Sequence, residues 1–111
     1  MNHERELLKG STDSLLLRLI SFQPMYGYQI IKELEERSNG YFRFKEGTLY
    51  PALHRMEKYG LIEGKWQKLP SGLERRYYFI TRKGQKVLAE RLAIWQDFST
   101  AVDLIMQPSS W

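Results

Sequence analysis

Apolar positions recur with helical spacing over four stretches of the chain and alternate loosely over one. The first stretch opens at Ser11-Thr12-Asp13, residue types that accept hydrogen bonds from the unpaired amides of a helix's first turn. Leu15, Leu16, Leu17, Leu19, Ile20 and Phe22 cover more than one face, so this helix meets its own core and something beyond it. Gln23-Pro24 ends it, because the residue before a proline disfavours the helical region. A second helix is predicted over 26–38, with Ile30, Ile31 and Leu34 inward and Lys32, Glu33, Glu35, Glu36 and Arg37 toward water. Glu33 and Arg37 stand four apart, a modest local stabiliser. Asn39-Gly40 supplies a left-handed stop, and Gly27 either leaves space for a neighbouring backbone or is a tolerated weak point in the helix.

A third helix is predicted over 47–59. Pro51 has no amide hydrogen and belongs in a first turn, which places the cap near Thr48. At about 100° per residue, Leu49, Ala52, Leu53 and Met56 share one face, leaving Tyr50, Pro51, His54, Arg55 and Lys58 outside it. Gly60 stops the helix. Residues 62–69 and 75–81 then read as a two-stranded ribbon about the turn Pro70-Ser71-Gly72, with Ile62, Trp66, Tyr78 and Ile80 inward. Thr81 caps a last helix over 82–106, roughly 37 Å long at 1.5 Å per residue. It carries two adjacent apolar stripes: Leu88, Leu92, Trp95, Val102 and Met106, and Val87, Ile94, Phe98, Ala101 and Ile105. One small domain cannot cover both, so the excess is expected to be buried in a second copy. Candidate dimerisation residues are Leu15, Leu19, Leu88, Leu92, Trp95, Val102 and Ile105.

The order of elements is helix, helix, helix, hairpin, long helix. The expected fold is mainly α with a small β-hairpin, a winged helix-turn-helix followed by a long C-terminal dimerisation helix. The DNA-binding domain would span 1–81, and the dimerisation helix and tail 82–111.

Composition narrows the chemistry. With 111 residues and no cysteine, disulfide frameworks, Cys-ligated zinc and thiol catalysis are excluded. No apolar run approaches a membrane span or a signal-peptide core, so the chain reads as cytoplasmic. The net charge of +4 is too small to name a partner, but its placement is informative. Residues 1–40 and 85–111 each carry −1, while residues 41–84 hold 10 basic and 4 acidic side chains, a net of +6. That segment contains the third helix and the hairpin. Tyr50, with Pro51 shaping the helix start, suits either a phosphate contact that positions without reading sequence or packing against the hairpin. His54, Arg55 and Lys58 could reach bases or phosphates, and Thr48 could be a cap, a phosphate contact or both. Lys65, Lys68, Arg75 and Arg76 crowd the hairpin near its turn, where a DNA backbone or minor groove is in reach. Tyr26 and Gln29, at the start of the second helix, complete the candidate DNA contacts.

The segments Tyr26-Gly27-Tyr28-Gln29-Ile30-Ile31, Gly47-Thr48-Leu49-Tyr50-Pro51-Ala52-Leu53 and Arg75-Arg76-Tyr77-Tyr78-Phe79-Ile80-Thr81 resemble the PadR family of bacterial transcriptional regulators. The resemblance covers about residues 8–107, and the Gly-Thr-Leu-Tyr-Pro segment is its most specific part. The short length is similar to the subgroup whose C-terminal region is one helix. The resemblance implies a homodimeric repressor that binds double-stranded DNA at an inverted repeat. It also implies release by a small molecule, frequently aromatic or amphipathic. Leu73 departs from the family, many of whose members carry a second small or basic residue after Gly72, and this bears on the wing tip. Trp95 is the candidate effector residue: near the helix midpoint it could meet its symmetry mate and line a flat cavity, with Leu92 and Phe98 beside it.

Catalysis is not expected. His3 and His54 lie far apart, and neither metal-ligand spacing nor an acidic pair stands in a catalytic context. No cofactor is expected. The competing reading is a winged helix used for protein–protein interaction, since fold alone does not dictate DNA binding.

Overall fold

The computed structural model describes residues 11–108. Its elements are α1 (Thr12–Phe22), β1 (Met25–Tyr26), α2 (Gly27–Arg37), α3 (Glu46–Lys58), β2 (Ile62–Lys68), β3 (Glu74–Ile80) and α4 (Arg82–Met106). The architecture is mainly helical, with a small antiparallel sheet in the order β1-β3-β2. His3 lies outside the described residues.

One core holds the helices to the sheet. Leu16, Leu17 and Ile20 of α1, Ile30 and Leu34 of α2, and Leu49, Leu53 and Met56 of α3 close around Ile62 and Tyr78 of the hairpin. The i,i+3/i+4 spacing on each helix is what brings these residues onto a single face. Glu33 and Arg37 form the expected ion pair, Nε to Oε2 at 3.0 Å. After α2 the chain turns through Asn39 (φ 53°) and Gly40 (φ 80°), the predicted left-handed stop. Phe44 is then buried in the core, and the Ser38 hydroxyl accepts from the Phe42 amide at 2.9 Å.

The short strand β1 is not predicted by the sequence pattern. Met25 and Tyr26 pair with Tyr78 and Tyr77 of β3, so Tyr26 closes the sheet and also holds the N-cap position of α2 without a side-chain capping bond. Two residues are too few to show an alternation.

The third helix begins at Glu46, not at Gly47 under a Thr48 cap. The Lys45 carbonyl accepts from both the Thr48 and the Leu49 amides at 3.0 Å, which adds the extra N-terminal residues. Pro51 therefore lies past the first turn and leaves the Gly47 carbonyl without its i+4 donor. Gly47 is exposed, so water can take that acceptor.

Two expected dimerisation residues belong to the protomer's own interior. Leu19 and Leu88 are each only 5% exposed and pack in the core, so almost none of their surface is left for a second copy to cover. Leu15 and Leu92 are half-buried against the same core. The expected inward position of Trp66 is also corrected: the ring is 64% exposed. It does share a sheet face with Ile62, but the core ends before reaching that far along the hairpin.

α4 is anchored at its start. The Thr81 hydroxyl accepts from the Gly84 amide at 3.0 Å as the predicted cap, and donates toward the Gly60 and Leu61 carbonyls at 2.6 and 3.0 Å. Lys83 Nζ donates to the Tyr59 carbonyl at 2.7 Å. Farther along, Arg91 donates to the Ser14 hydroxyl at 3.3 Å, tying α4 to α1. Beyond Leu92 the helix leaves the core: Ile94, Trp95, Phe98, Leu104, Ile105 and Met106 are all exposed.

Candidate nucleic-acid interface

Helix geometry sorts the side chains of α3. Leu49, Ala52, Leu53 and Met56 are buried, so Pro51, His54 and Lys58 occupy the centre of the outward strip. Tyr50 and Glu57 lie on the flank toward the wing, and Thr48 and Arg55 on the flank toward α1. Both flanks are closed by ion pairs. Arg55 Nη2 meets Asp13 Oδ1 of α1 at 2.9 Å, and Glu57 Oε2 meets Arg76 Nη2 of β3 at 2.7 Å.

Tyr50 is seated against α2. A Cβ added at Gly27 would collide with the Tyr50 hydroxyl, so the room Gly27 provides is for a side chain and not for a backbone. The ring remains partly exposed at the mouth of a cleft of about 290 Å³ between α3 and the wing. Tyr26, Trp66, Glu74, Arg75, Arg76 and Tyr78 line its walls with Tyr50 and Gly27. Burial, with the Glu57 carboxylate nearby, pushes the Tyr78 phenol above its ordinary range. Its hydrogen bond to Glu57 holds Arg76 charged even more firmly than an ordinary arginine.

The pleat divides the wing's cations between two faces. Lys65 and Arg75 lie on the face away from α3, over aromatic rings: Lys65 Nζ is 5.1 Å from the Phe79 centroid and the Arg75 guanidinium 4.2 Å from that of Tyr26. Tyr26 in turn meets Tyr77 edge-on at 5.5 Å. Arg76 is on the opposite face, lying over Gly64, where any Cβ would strike its guanidinium. Lys68 stands near the tip, paired in register with Glu74. Of the four cations expected together at the wing, the structure therefore groups Lys65 and Arg75 and sets Arg76 apart.

A helix-turn-helix, its second helix outward and flanked by a basic ribbon, is the geometry of a major-groove reader. The family model for the transcriptional regulator PadR-like family matches residues 16–90. The chain belongs to this family. An uncharacterised protein of Lysinibacillus sphaericus is 37% identical to this PadR-like chain over 102 residues, covering 92% of it and 94% of the relative. The transcriptional regulator Rv3488 of Mycobacterium tuberculosis is 34% identical over 86 residues, 78% of this chain and 77% of that one. A PadR-like transcriptional regulator from Bacillus cereus superposes with a TM-score of 0.83 at 36% identity, over 94% of this chain and 99% of that structure. This PadR-like protein is thus a winged-helix transcriptional regulator, and its partner class is DNA.

On this regulator, Pro51, His54 and Lys58 lie on the outward strip of α3 with Tyr50 on its wing flank and Thr48 and Arg55 on its α1 flank, Tyr26, Lys65 and Arg75 share the far face of the sheet, and Gln29 lies in the first turn of α2. Three further neighbours go beyond the sequence-based expectation. Trp66, expected inward, opens onto the cleft instead. Tyr28 and Lys32, exposed on α2 with Lys32 Nζ 5.7 Å from the Tyr28 ring centroid, line a shallow groove with Tyr26 and Gln29. Their i,i+4 spacing is the available signal, but Lys32 reads equally well as a solvated charge. No helix among the described residues is long and apolar enough to cross a membrane.

Proposed function

We propose that the protein is a homodimeric repressor. In this reading α3 enters successive major grooves of an inverted repeat, the wing contacts the backbone, and α4 joins the protomers. The observation that carries it is the division of surfaces along one chain: unpaired cations on α3 and the wing, and a bare apolar band on the distal half of α4. Among the described residues no carboxylate is ion-paired with Lys58, Lys65, Lys68 or Arg75. A winged helix serving only as a protein-binding module would have no use for that concentration of charge. In domain terms, residues 1–81 read DNA and 82–111 dimerise, with Leu88 fastening the second part to the first.

The test is fluorescence polarisation with the duplex promoter region of the protein's own gene over a salt series. Binding should weaken linearly on log–log axes. Lys65→Ala with Arg75→Ala should reduce the slope by about 0.9 for each phosphate that is no longer neutralised. A slope unchanged by the double substitution would remove the wing from the interface. Binding indifferent to salt would favour the protein-module reading.

The effector is assigned to the same α4 band. The Trp95 and Phe98 rings stand 6.0 Å apart, tilted by 34°, and both are exposed in the protomer. Dimerisation would turn them into the walls of an apolar slot open to a planar compound. Planar aromatic compounds are expected to quench Trp95 emission saturably, with the saturable part abolished in Trp95→Ala. The absence of saturable quenching across a broad aromatic panel would refute the assignment.

A further inference from the structure

Past its first turn, α3 carries a single carboxylate, Glu57, and it lies on the same flank as Tyr50, beside the strip proposed to face DNA. A carboxylate there is costly for DNA binding, because close approach of a phosphate brings like charges together. Glu57 instead engages Arg76 at 2.7 Å, the shortest of the ion pairs among the described residues. The pairing is built in from both sides. Gly64 on the adjacent strand leaves the space the guanidinium occupies, and the Trp66 and Tyr78 rings stand 5.8 and 5.9 Å from it. Both partners remain about a quarter to a third exposed, and Arg76 also lines the α3–wing cleft, so solvent and a phosphate can reach the pair.

Sequence-independent affinity for duplex DNA comes almost wholly from cations that displace condensed counterions. A guanidinium already neutralised by an internal carboxylate displaces none unless the phosphate first wins it. Resting on the DNA-binding reading above, we propose that Glu57 holds Arg76 out of sequence-independent binding, acting as an internal substitute for phosphate. Lys58, Lys65, Lys68 and Arg75 then supply the background affinity, and Glu57 keeps that background low. Lower background raises the ratio of operator to bulk binding, the quantity that matters against a genome of competing sites. Glu57 is in these terms a specificity-determining residue, acting through Arg76.

The experiment uses the full chain and a fluorescein-labelled random-sequence duplex, titrated from low to moderate salt. Glu57→Gln, isosteric and uncharged, should bind about tenfold more tightly at low salt. It should also steepen the log–log salt slope by about 0.9 per protomer bound to the duplex. Arg76→Ala added to the Glu57→Gln background should abolish both gains. Weaker or unchanged binding by Glu57→Gln would overturn the proposal and make the pair a brace between α3 and the wing. Gains that survive Arg76→Ala in the Glu57→Gln background would also overturn it, by showing that Arg76 does not carry them. If the wild type shows no salt-dependent binding, the DNA-binding reading itself fails, an outcome distinct from both.

Discussion

Gly84→Ala is expected to lower the unfolding free energy by about 3 kcal/mol, the upper end of the usual cost of forcing atoms into a filled core. For a domain of this size that corresponds to a fall in Tm on the order of 15 °C. The added methyl would land on the Leu61 carbonyl oxygen and 2.8 Å from Ile80 Cγ1. Neither neighbour can withdraw freely. Leu61 is buried, and its carbonyl accepts from both the amide and the hydroxyl of Thr81 at 3.0 Å. Thermal melting by circular dichroism checks the effect. Gly47→Ala is the control: no atom lies within 4 Å of its Cβ position, and alanine is the better helix former. It should be neutral or stabilising by up to about 1 kcal/mol. Equal melting of Gly84→Ala and wild type would mean that α4 does not sit on the hairpin as described.

The second large effect concerns oligomeric state. If the proposed dimer forms through α4, Phe98→Asp combined with Ile105→Asp should convert it to a monomer at micromolar concentration and weaken operator binding by about a hundredfold or more, because the second half-site is then no longer bound intramolecularly. Ile94, Phe98, Ala101 and Ile105 fall on one narrow stripe of α4, with Trp95, Val102 and Met106 adjacent, so two charges at 98 and 105 interrupt the whole band. Ile105 is 83% exposed in the protomer, and a free-standing segment of this length is marginal as a helix in water. Loss of the partner should therefore reduce helicity as well. The head should stay folded, since its core lies elsewhere. Light scattering decides the matter: a double variant that remains dimeric would place the interface on another surface.

The element order and most boundaries were legible because they rest on local chemistry: periodic leucines in α1, Asn39-Gly40 after α2, Thr81 before α4. What escaped depended on distant partners. β1 exists because Tyr77 and Tyr78, some fifty residues later in the chain, offer it a strand edge. Leu19 and Leu88 read as surplus apolar surface until α1 and α4 pack together in the core. Trp66 alternates correctly, yet a period of two says nothing of where along a hairpin the core ends. For the candidate site, residue types on α3 and the wing could be read from sequence. The ion pairs that close its flanks could not, since Asp13 precedes Arg55 by 42 residues and Glu57 precedes Arg76 by 19.

The Thr81 junction has a mechanical side. Its hydroxyl, the Gly84–Leu61 contact and the Lys83–Tyr59 bond weld the root of α4 to the exit of α3 and the base of the wing, with no flexible linker between. A helix of 25 residues, about 37 Å long, then behaves as a crank arm. Turning it by about 5° about its far end would sweep the reading head through roughly 3 Å, a large fraction of the about 3.4 Å between stacked base pairs. In the proposed dimer, a planar effector wedged beside Trp95 would not need to approach the DNA at all. By altering how two such arms cross, it would detune the distance between the two heads from the pitch of the double helix.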